Sequence, residues 1–199
     1  RLTRPEASNA LDMSFWRGFG PAVAALDRTG EIHALVISGE GRNFCAGMDI
    51  SVFSSGAILP AETSAQRQAF HQAVRDLQDA LTALEKARFP VIAAVHGVAL
   101  GGGFQVALGA DIRYAAPGTR FSVMEIKWGL VPDMAGTQLM RHLAREDIVR
   151  ELSYTGRIFP AEEALDYGLV TRIVDDPYAQ AMETAGEIAG KNPDAIRGN

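Results

Sequence analysis

The centre of the predicted fold is the stretch from Val91 to Asp111, VIAAVHGVALGGGFQVALGAD. It opens with an apolar, β-branched run, which is typical of a buried parallel strand. Glycines follow at 97 and 101–103, and the apolar residues of 104–110 then predict a buried helix. A strand that passes through glycines into a helix N-terminus aims unpaired N–H groups at an anion or a carbonyl oxygen. The same glycines could also serve packing alone, as a tight turn.

A second stretch repeats this pattern. It is ALVISGEGRNFCAGMDI, from Ala34 to Ile50, in which an apolar strand again runs into glycine-rich turns. The turn Cys45–Asp49 has the character of the start of a short helix. Two such turns that face each other would supply two convergent N–H donors, which is the arrangement of an oxyanion hole.

Length and composition restrict the classes of protein that fit. A chain of 199 residues predicts one domain with a sizeable core, and 47% hydrophobic residues are ordinary for a globular protein. The net charge of −5 and the lack of a basic run argue against nucleic acid or an anionic membrane as partner. The sequence contains neither a signal-peptide pattern nor an apolar run that could span a bilayer. With a single cysteine, a cytoplasmic location is expected.

The order of predicted elements indicates an α/β class. Apolar residues at helical spacing predict a helix that ends at Gly30, with one apolar face made of Leu11, Phe15, Phe19, Val23 and Leu26. Another helix is predicted from Thr63 or Ser64 to just before Pro90. Besides the run at Val91, strands are predicted at 32–38, 111–115 and 170–174. Later helices are predicted to begin at 160–164 and at Pro177, the last one ending near Gly190. The Ser-, Gly- and Pro-rich segment 51–63 predicts a mobile loop. Strands that alternate with helices favour a parallel sheet.

Several segments resemble the crotonase (enoyl-CoA hydratase/isomerase) superfamily. FCAGMDI at 44–50 and HGVALGGGFQVALGADIRYA at 96–115 are similar to its two signature segments. Further similar segments lie at 4–11, 124–138 and 155–170, in the family's order. The resemblance implies a crotonase-like spiral of repeated ββα units with flanking helices, in one core domain over residues 1–199. It also implies that the family's usual C-terminal helical extension is absent or truncated here.

The same resemblance implies a set of catalytic residues. The family's two oxyanion-hole donors fall on the N–H groups of Met48 and Gly102. Family hydratases use two glutamates, and the matching positions here are Gln105 and Glu125. A glutamine cannot exchange a proton at neutral pH and can only orient its neighbours by hydrogen bonds. Full two-carboxylate hydration is therefore not the first expectation.

A single carboxylate beside an oxyanion hole suits double-bond isomerisation. One base, Glu125, would take a proton from the α-carbon of an enoyl-CoA and return it to the γ-carbon. Hydration of a 2-enoyl-CoA to a 3-hydroxyacyl-CoA is the alternative. Asp133 stands eight residues after Glu125, where crotonase-like dienoyl-CoA isomerases carry an acid. Those isomerases also have an acid where Gln105 stands, so the match to them is incomplete. Asp133 is expected either to enter the pocket and raise the pKa of Glu125, or to serve only as a turn residue after Pro132.

The resemblance also implies where an acyl-CoA would bind. It places the adenine against Ala46, Asp49 and Ile50, with Ala7 beside the nucleotide. Trp128 is either a core residue or, with Leu130, part of an acyl tunnel. No cofactor is expected, since coenzyme A is part of the substrate. The expected assembly is a homotrimer or a dimer of trimers.

The sequence also fits other functions. Loss of activity through Gln105 would leave a non-catalytic acyl-CoA-binding subunit, and the motifs also fit thioester hydrolysis or dehalogenation. The four histidines have no ligand spacing, so no metal site is expected. Cys45 is expected to be structural, because its motif supplies backbone geometry. His96 lies near a strand end and is expected to be a buried, hydrogen-bonded histidine, with contact to the site as the alternative.

Overall fold

The structure, a computed structural model, describes residues 1–54 and 63–198. Four strands form a parallel sheet in the order β1-β2-β4-β7. They are β1 Leu35–Ser38, β2 Val91–Val95, β4 Ile112–Ala115 and β7 Arg172–Ile173. The predicted strands are thus confirmed, with shorter bounds.

A second sheet has the order β3-β5-β6, and its strands lie between strands of the first sheet in the sequence. It consists of β3 Val98–Leu100, β5 Arg120–Ser122 and β6 Phe159–Pro160. β3 pairs with β5 in parallel, and β5 pairs with β6 antiparallel. β2 leads into β3 and β4 leads into β5, so the chain passes twice from the first sheet into the second. This recurrence agrees with the predicted ββα spiral.

Helices surround the two sheets. Their bounds are α1 Met13–Thr29, α2 Ile50–Ser54, α3 Ser64–Lys86, α4 Gly102–Leu108, α5 Gly136–Met140, α6 Glu146–Thr155, α7 Ala161–Asp166, α8 Pro177–Ala189 and α9 Pro193–Arg197, with 3₁₀ turns at Pro5–Ala7 and Glu125–Trp128. Within the described ranges, none of the helices is both long and apolar enough to cross a membrane.

Local signals set the ends of the long helices as predicted. Gly30 ends α1 in the left-handed region, with φ of 70°. The Thr63 hydroxyl accepts a hydrogen bond from the Gln66 N–H, and the Gln66 side chain accepts one from the Thr63 N–H, which completes a capping box at the start of α3. Pro177 opens α8 behind its N-cap Asp176.

The prediction of a mobile loop over 51–63 is wrong at its start. Residues 51–54 belong to α2, because the Asp49 carboxylate accepts hydrogen bonds from the N–H and hydroxyl of Ser51 and so caps a short helix. The rest of that prediction, residues 55–62, lies outside the described residues.

The packing of α1 on α3 differs from the predicted apolar face. The buried side of α1 is centred on Trp16, Gly20 and Val23. A Cβ on Gly20 would stand 3.1 Å from the Ala80 Cα, so the two backbones cross closely at a small residue. Leu26, predicted to face the core, is 37% exposed, because the crossing point sets the orientation of the helix.

The helix α4 lies in the centre of the core. All of its residues are buried, which confirms the predicted buried helix. The rings of Phe104, Phe121 and Phe159 pack together behind it, with centroids 5.3–5.9 Å apart. Such packing fixes the N-terminus of α4 and, with it, the glycine turn that opens the candidate site.

Candidate active site

The turn Cys45–Asp49 is held between β3 and the N-terminal segment. On one side, the Cys45 N–H donates to the Val98 carbonyl at 3.0 Å, and the Leu100 N–H donates to the Cys45 carbonyl at 3.1 Å. On the other side, the Leu11 N–H donates to the Gly47 carbonyl at 2.8 Å. Gly47 has φ of 101°, and a Cβ there would stand 2.7 Å from the Leu100 carbonyl oxygen. This close approach therefore requires glycine.

The second glycine turn brings another N–H group to the same place. A Cβ on Gly102 would lie 3.7 Å from the Met48 nitrogen, and one on Gly47 would lie 3.6 Å from the Gly102 nitrogen. In the described part of the chain, neither the Met48 N–H nor the Gly102 N–H donates to a protein acceptor. Two neighbouring unpaired donors that line one cavity can hydrogen-bond to a single oxygen atom.

The Gln105 side chain is buried in the middle of α4 and has a fixed orientation. Its Oε1 accepts a hydrogen bond from the Gly136 N–H at 2.8 Å. A backbone N–H can only donate, so the Nε2 group must face the other way. That group donates to Glu125 Oε1 at 2.6 Å. Gln105 is thereby a bridge between α5 and the Glu125 carboxyl group.

Glu125 is the first residue of the 3₁₀ turn Glu125–Trp128 and lines the cavity. Its Oε2 atom is buried and has no hydrogen-bond partner among the described residues. Burial raises the pKa of Glu125 above its ordinary value, the Gln105 hydrogen bond opposes this rise, and the charge of Asp133 adds to it. A carboxyl group of raised pKa with one free oxygen in a cavity is suited to taking and returning protons.

Asp133 lines the same cavity from the loop that precedes α5. Burial raises the pKa of Asp133 as well. Its backbone carbonyl accepts a hydrogen bond from Gln78 Nε2 of α3 at 2.6 Å. The structure therefore brings two carboxyl groups, Glu125 and Asp133, to one cavity, as one of the two sequence interpretations of Asp133 requires.

The cavity has a volume of about 170 Å³ and a largely apolar wall. Trp128, Leu130 and Ile50 contribute to that wall, and Trp128 is 59% exposed, so it is not a core residue. Two methionines, Met124 and Met134, line it without having been predicted. Apolar residues carry no sequence signal that separates a cavity wall from a core.

The predicted residues fall into two groups. Seven of them line the one cavity, namely Ala46, Met48, Ile50, Gly102, Gln105, Glu125 and Asp133. Ala7 and Asp49 are not part of that lining. Arg4 Nη2 donates to the Asp49 carboxylate at 2.9 Å. Ser51 donates to the same carboxylate, so the charge of Asp49 is already paired within the protein.

Cys45 and His96 show no sign of a catalytic role, and the described residues form no metal site. Burial raises the pKa of Cys45 to about 12, and its thiol donates to the Asn9 carbonyl at 3.1 Å, so it is not a nucleophile at neutral pH. A ring nitrogen of His96 lies 3.0 Å from the Gly41 carbonyl oxygen, as predicted for a hydrogen-bonded histidine. The prediction that His96 is buried is wrong, because its side chain is only half-buried, and it is not part of the cavity lining. Over residues 1–54 and 63–198, no cluster of three His, Cys, Asp or Glu side chains could hold a metal ion.

Comparison with known proteins gives a consistent family. Residues 1–198 match the family model described as enoyl-CoA hydratase/isomerase. The mitochondrial Δ(3,5)-Δ(2,4)-dienoyl-CoA isomerase of Mus musculus is 35% identical over the whole of this chain. The chain spans 63% of the length of that relative.

Two further relatives widen the comparison. The short-chain-enoyl-CoA hydratase of Clostridium acetobutylicum is 34% identical over 96% of this chain, which covers 69% of that protein. The crystal structure of an enoyl-CoA hydratase/isomerase from Mycobacterium paratuberculosis superposes with a TM-score of 0.87 at 26% identity. That match covers 98% of this chain and 77% of the other.

Proposed function

The chain belongs to the enoyl-CoA hydratase/isomerase family, and from that premise we propose that it moves carbon–carbon double bonds in unsaturated acyl-CoA thioesters. The observation that carries this proposal is the composition of the proton-handling side of the cavity. Gln105 stands where family hydratases have a second glutamate, and it donates a hydrogen bond to Glu125. The second carboxyl group of the cavity is Asp133.

In the proposed mechanism, the Met48 and Gly102 N–H groups form an oxyanion hole for the thioester oxygen. The two groups neighbour each other and have no acceptor among the described residues. As the α-proton leaves, negative charge moves onto that oxygen, and both donors stabilise the resulting enolate. Loss of one such donor typically costs about 2.7–4 kcal/mol of transition-state stabilisation.

For a 3-enoyl-CoA, Glu125 alone can move the proton. Its carboxylate takes a proton from C2, and the electron pair of that C–H bond spreads over the dienolate. The proton then returns to C4, so that the double bond shifts from C3–C4 to C2–C3. The raised pKa of Glu125 suits the first step, because a carboxylate of raised pKa is a stronger base toward the C2 proton.

A 3,5-dienoyl-CoA makes use of both carboxyl groups, and we propose it as the preferred substrate class. Conversion to a 2,4-dienoyl-CoA removes a proton from C2 and adds one at C6, at the other end of the conjugated system. A pair of carboxyl groups in one cavity, Glu125 and Asp133, is suited to these two separated positions. Four mammalian relatives, each 35% identical, are named for this conversion.

Hydration of a 2-enoyl-CoA is the second candidate. Asp133 favours it, because a second carboxyl group in the cavity could activate water while Glu125 delivers a proton. Gln105 argues against it, since an amide exchanges no proton at neutral pH.

The remaining proposals concern coenzyme A and assembly. We place the nucleotide beside Ala7, Ala46, Asp49 and Ile50, where Asp49 would act through its backbone because Arg4 and Ser51 hold its carboxylate. No cofactor besides the substrate's own coenzyme A is proposed. A homotrimer or a dimer of trimers is supported by exposed apolar side chains such as Val131 and Tyr154, 67% and 71% exposed.

An ultraviolet assay on the full-length protein with three substrates tests the function. With 3,5-dienoyl-CoA and 3-enoyl-CoA, we expect conjugated products to form, the diene faster. Loss of conjugated absorbance from 2-enoyl-CoA, with neither isomerisation, would instead make the protein a hydratase. If all three thioesters bind without turnover, the protein is a binding subunit or acts on another thioester.

A further inference from the structure

The loop that carries Asp133 is held at both ends by glutamine side chains from two different helices. At one end, Gln105 of α4 accepts a hydrogen bond from the Gly136 N–H at 2.8 Å. At the other, Gln78 of α3 donates to the Asp133 carbonyl at 2.6 Å. Gln78 lies 55 residues from Asp133 in sequence, so this bond ties the loop to a separate part of the fold.

Between those two anchors, the backbone has an unfavourable conformation. Ala135 has φ of 64°, which is the left-handed region, although it has a Cβ. Residues with a side chain adopt this region at a cost, and they remain in it only where surrounding contacts impose it. The Gln78 and Gln105 hydrogen bonds are contacts of that kind.

Asp133 also lies at a boundary between two depressions. On one side is the catalytic cavity with Glu125, and on the other is a polar groove of about 470 Å³ between α3 and α5. Asp133 is the one residue that the two linings share in the described part of the chain. The titratable groups on the groove side are Glu85 and His142.

The groove offers the carboxylate a wetter position than the one it occupies. Burial raises the pKa of Asp133, which means that its charged form is disfavoured where it now lies. A small movement of the loop toward the groove would hydrate that charge. The Gln78 hydrogen bond to the Asp133 carbonyl opposes such a movement, because it ties the residue to α3.

We propose that Gln78 is a positioning residue for the reaction, which holds the Asp133 carboxyl group at the catalytic cavity rather than in the groove. It does so through the Asp133 carbonyl, without touching substrate. The consequence for activity rests on the proposed function, because it needs Asp133 to serve as the second proton carrier on a diene. The consequence for the position of Asp133 does not.

The test in activity compares Gln78→Met with Gln138→Met. Methionine keeps the length and helix propensity of glutamine but removes the donor. Gln138 lines the same groove and bonds to Arg141 rather than Asp133. For Gln78→Met we expect kcat on 3,5-dienoyl-CoA to fall about tenfold with KM unchanged, since one hydrogen bond shifts a population by about that factor. Turnover of 3-enoyl-CoA should stay within about twofold, as should both activities of Gln138→Met.

A second variant tests the role of the strained residue. Added to Gln78→Met, Ala135→Gly removes the cost of positive φ, and we expect it to restore about half of the lost diene turnover. If the ratio of diene to monoene turnover is the same in Gln78→Met and wild type, the inference is wrong.

A titration that needs no catalysis separates this inference from the proposed function. The carboxyl carbons of aspartate are labelled with ¹³C, and the Asp133 signal is assigned by its loss in Asp133→Asn. In Gln78→Met we expect the pKa of Asp133 to fall toward its ordinary value, as the carboxyl group reaches the groove. An unchanged pKa would overturn the inference. If wild type turns over no diene, the proposed substrate fails, and this titration alone decides the role of Gln78.

Discussion

The two sides of the candidate active-site cavity are built in different ways. One side consists of backbone N–H groups of Met48 and Gly102, which main-chain hydrogen bonds between the Cys45–Asp49 turn, β3 and the N-terminal segment hold in place. The other consists of the side chains of Gln105, Glu125 and Asp133. The first side depends on glycines and strand register, whereas the second can change by single substitutions that leave the fold intact.

This difference accounts for how related proteins can share a fold and differ in reaction. In the proposed mechanism the backbone side binds the thioester oxygen and carries no titratable group, so its chemistry would be the same for every enolate. In the same mechanism, the side-chain side would decide which carbon loses a proton and which gains one. The comparison with isomerases and hydratases at similar identity, 35% and 34%, agrees with this division.

The largest expected effect is on the side-chain side. Glu125→Gln keeps the shape and the Gln105 neighbour but removes the only proton carrier assigned to both isomerisations. We expect turnover of 3-enoyl- and 3,5-dienoyl-CoA to fall about 10³-fold, within the range for general acid–base residues. Calorimetry with a substrate-like thioester should show unchanged binding. Turnover near the wild-type rate would remove Glu125 from the mechanism.

The next effect concerns the backbone side. Gly103→Ala would place a Cβ 2.6 Å from the Cys45 carbonyl oxygen and 2.7 Å from the Cys45 Cβ, so the two turns must separate. We expect turnover to fall about 10²-fold, because displacement of a catalytic group by about 1 Å has an effect of that size. Thermal unfolding should show lower stability too.

Gly186→Ala is the matched control for that substitution. Gly186 lies in the exposed part of α8, and a Cβ there would meet nothing within 4 Å. Alanine should therefore raise the free energy of unfolding by about 0.5–1 kcal/mol and leave turnover unchanged. Equal behaviour of Gly103→Ala and Gly186→Ala would mean that the close approach of the two turns has no importance for catalysis.

The backbone side could be predicted from the sequence because its signals are local. Glycines between an apolar strand and a helix mark a turn with free N–H groups, and Gly30 and Thr63 mark helix ends in the same way. The short strands β3 and β5 could not be predicted, since three residues carry no periodicity and their pairing joins distant segments. α1 buries the face with Trp16 and Gly20 because its backbone packs closely against Ala80. The spacing of apolar residues along the sequence does not show this contact.

The side-chain side could be predicted only in part. The family resemblance suggested Glu125, Gln105 and Asp133, but it did not decide whether Asp133 enters the pocket or is only a turn residue. The answer depends on where a loop lies relative to α3 and α4, through the Gln78 and Gly136 hydrogen bonds. Contacts of this kind join residues far apart in sequence, and no local pattern encodes them.

Asp133→Asn distinguishes the proposed role of Asp133 from that of Glu125. Asparagine keeps the size of the side chain but cannot exchange a proton, so protonation of C6 should lose its donor. We expect turnover of 3,5-dienoyl-CoA to fall about 10²-fold while 3-enoyl-CoA is isomerised within about twofold of the wild-type rate. An equal fall for both substrates would show that Asp133 acts through Glu125 or through the fold rather than on the diene.

The smallest expected effect concerns the hydrogen bond between Gln105 and Glu125, and its readout is the pH dependence of kcat/KM. The catalytic base must be ionised, so activity falls as pH decreases through the pKa of Glu125. Because burial raises that pKa, the acid limb should lie above the ordinary glutamate range. The Gln105 amide donates to the carboxylate and thus stabilises its charged form. Gln105→Met removes this donor and should move the acid limb to higher pH.

Gln105→Glu tests the same position with a charged side chain. A carboxylate at this position repels the charge on Glu125, so the acid limb should again move upward, while a second proton carrier is added next to the first. We therefore expect hydration of 2-enoyl-CoA to rise in Gln105→Glu and not in Gln105→Met. A gain in Gln105→Glu would mean that one residue of the side-chain side separates isomerase from hydratase on an unchanged oxyanion hole. An identical acid limb in wild type and Gln105→Met would instead place the titrating base elsewhere, with Asp133 the remaining carboxyl group of the cavity.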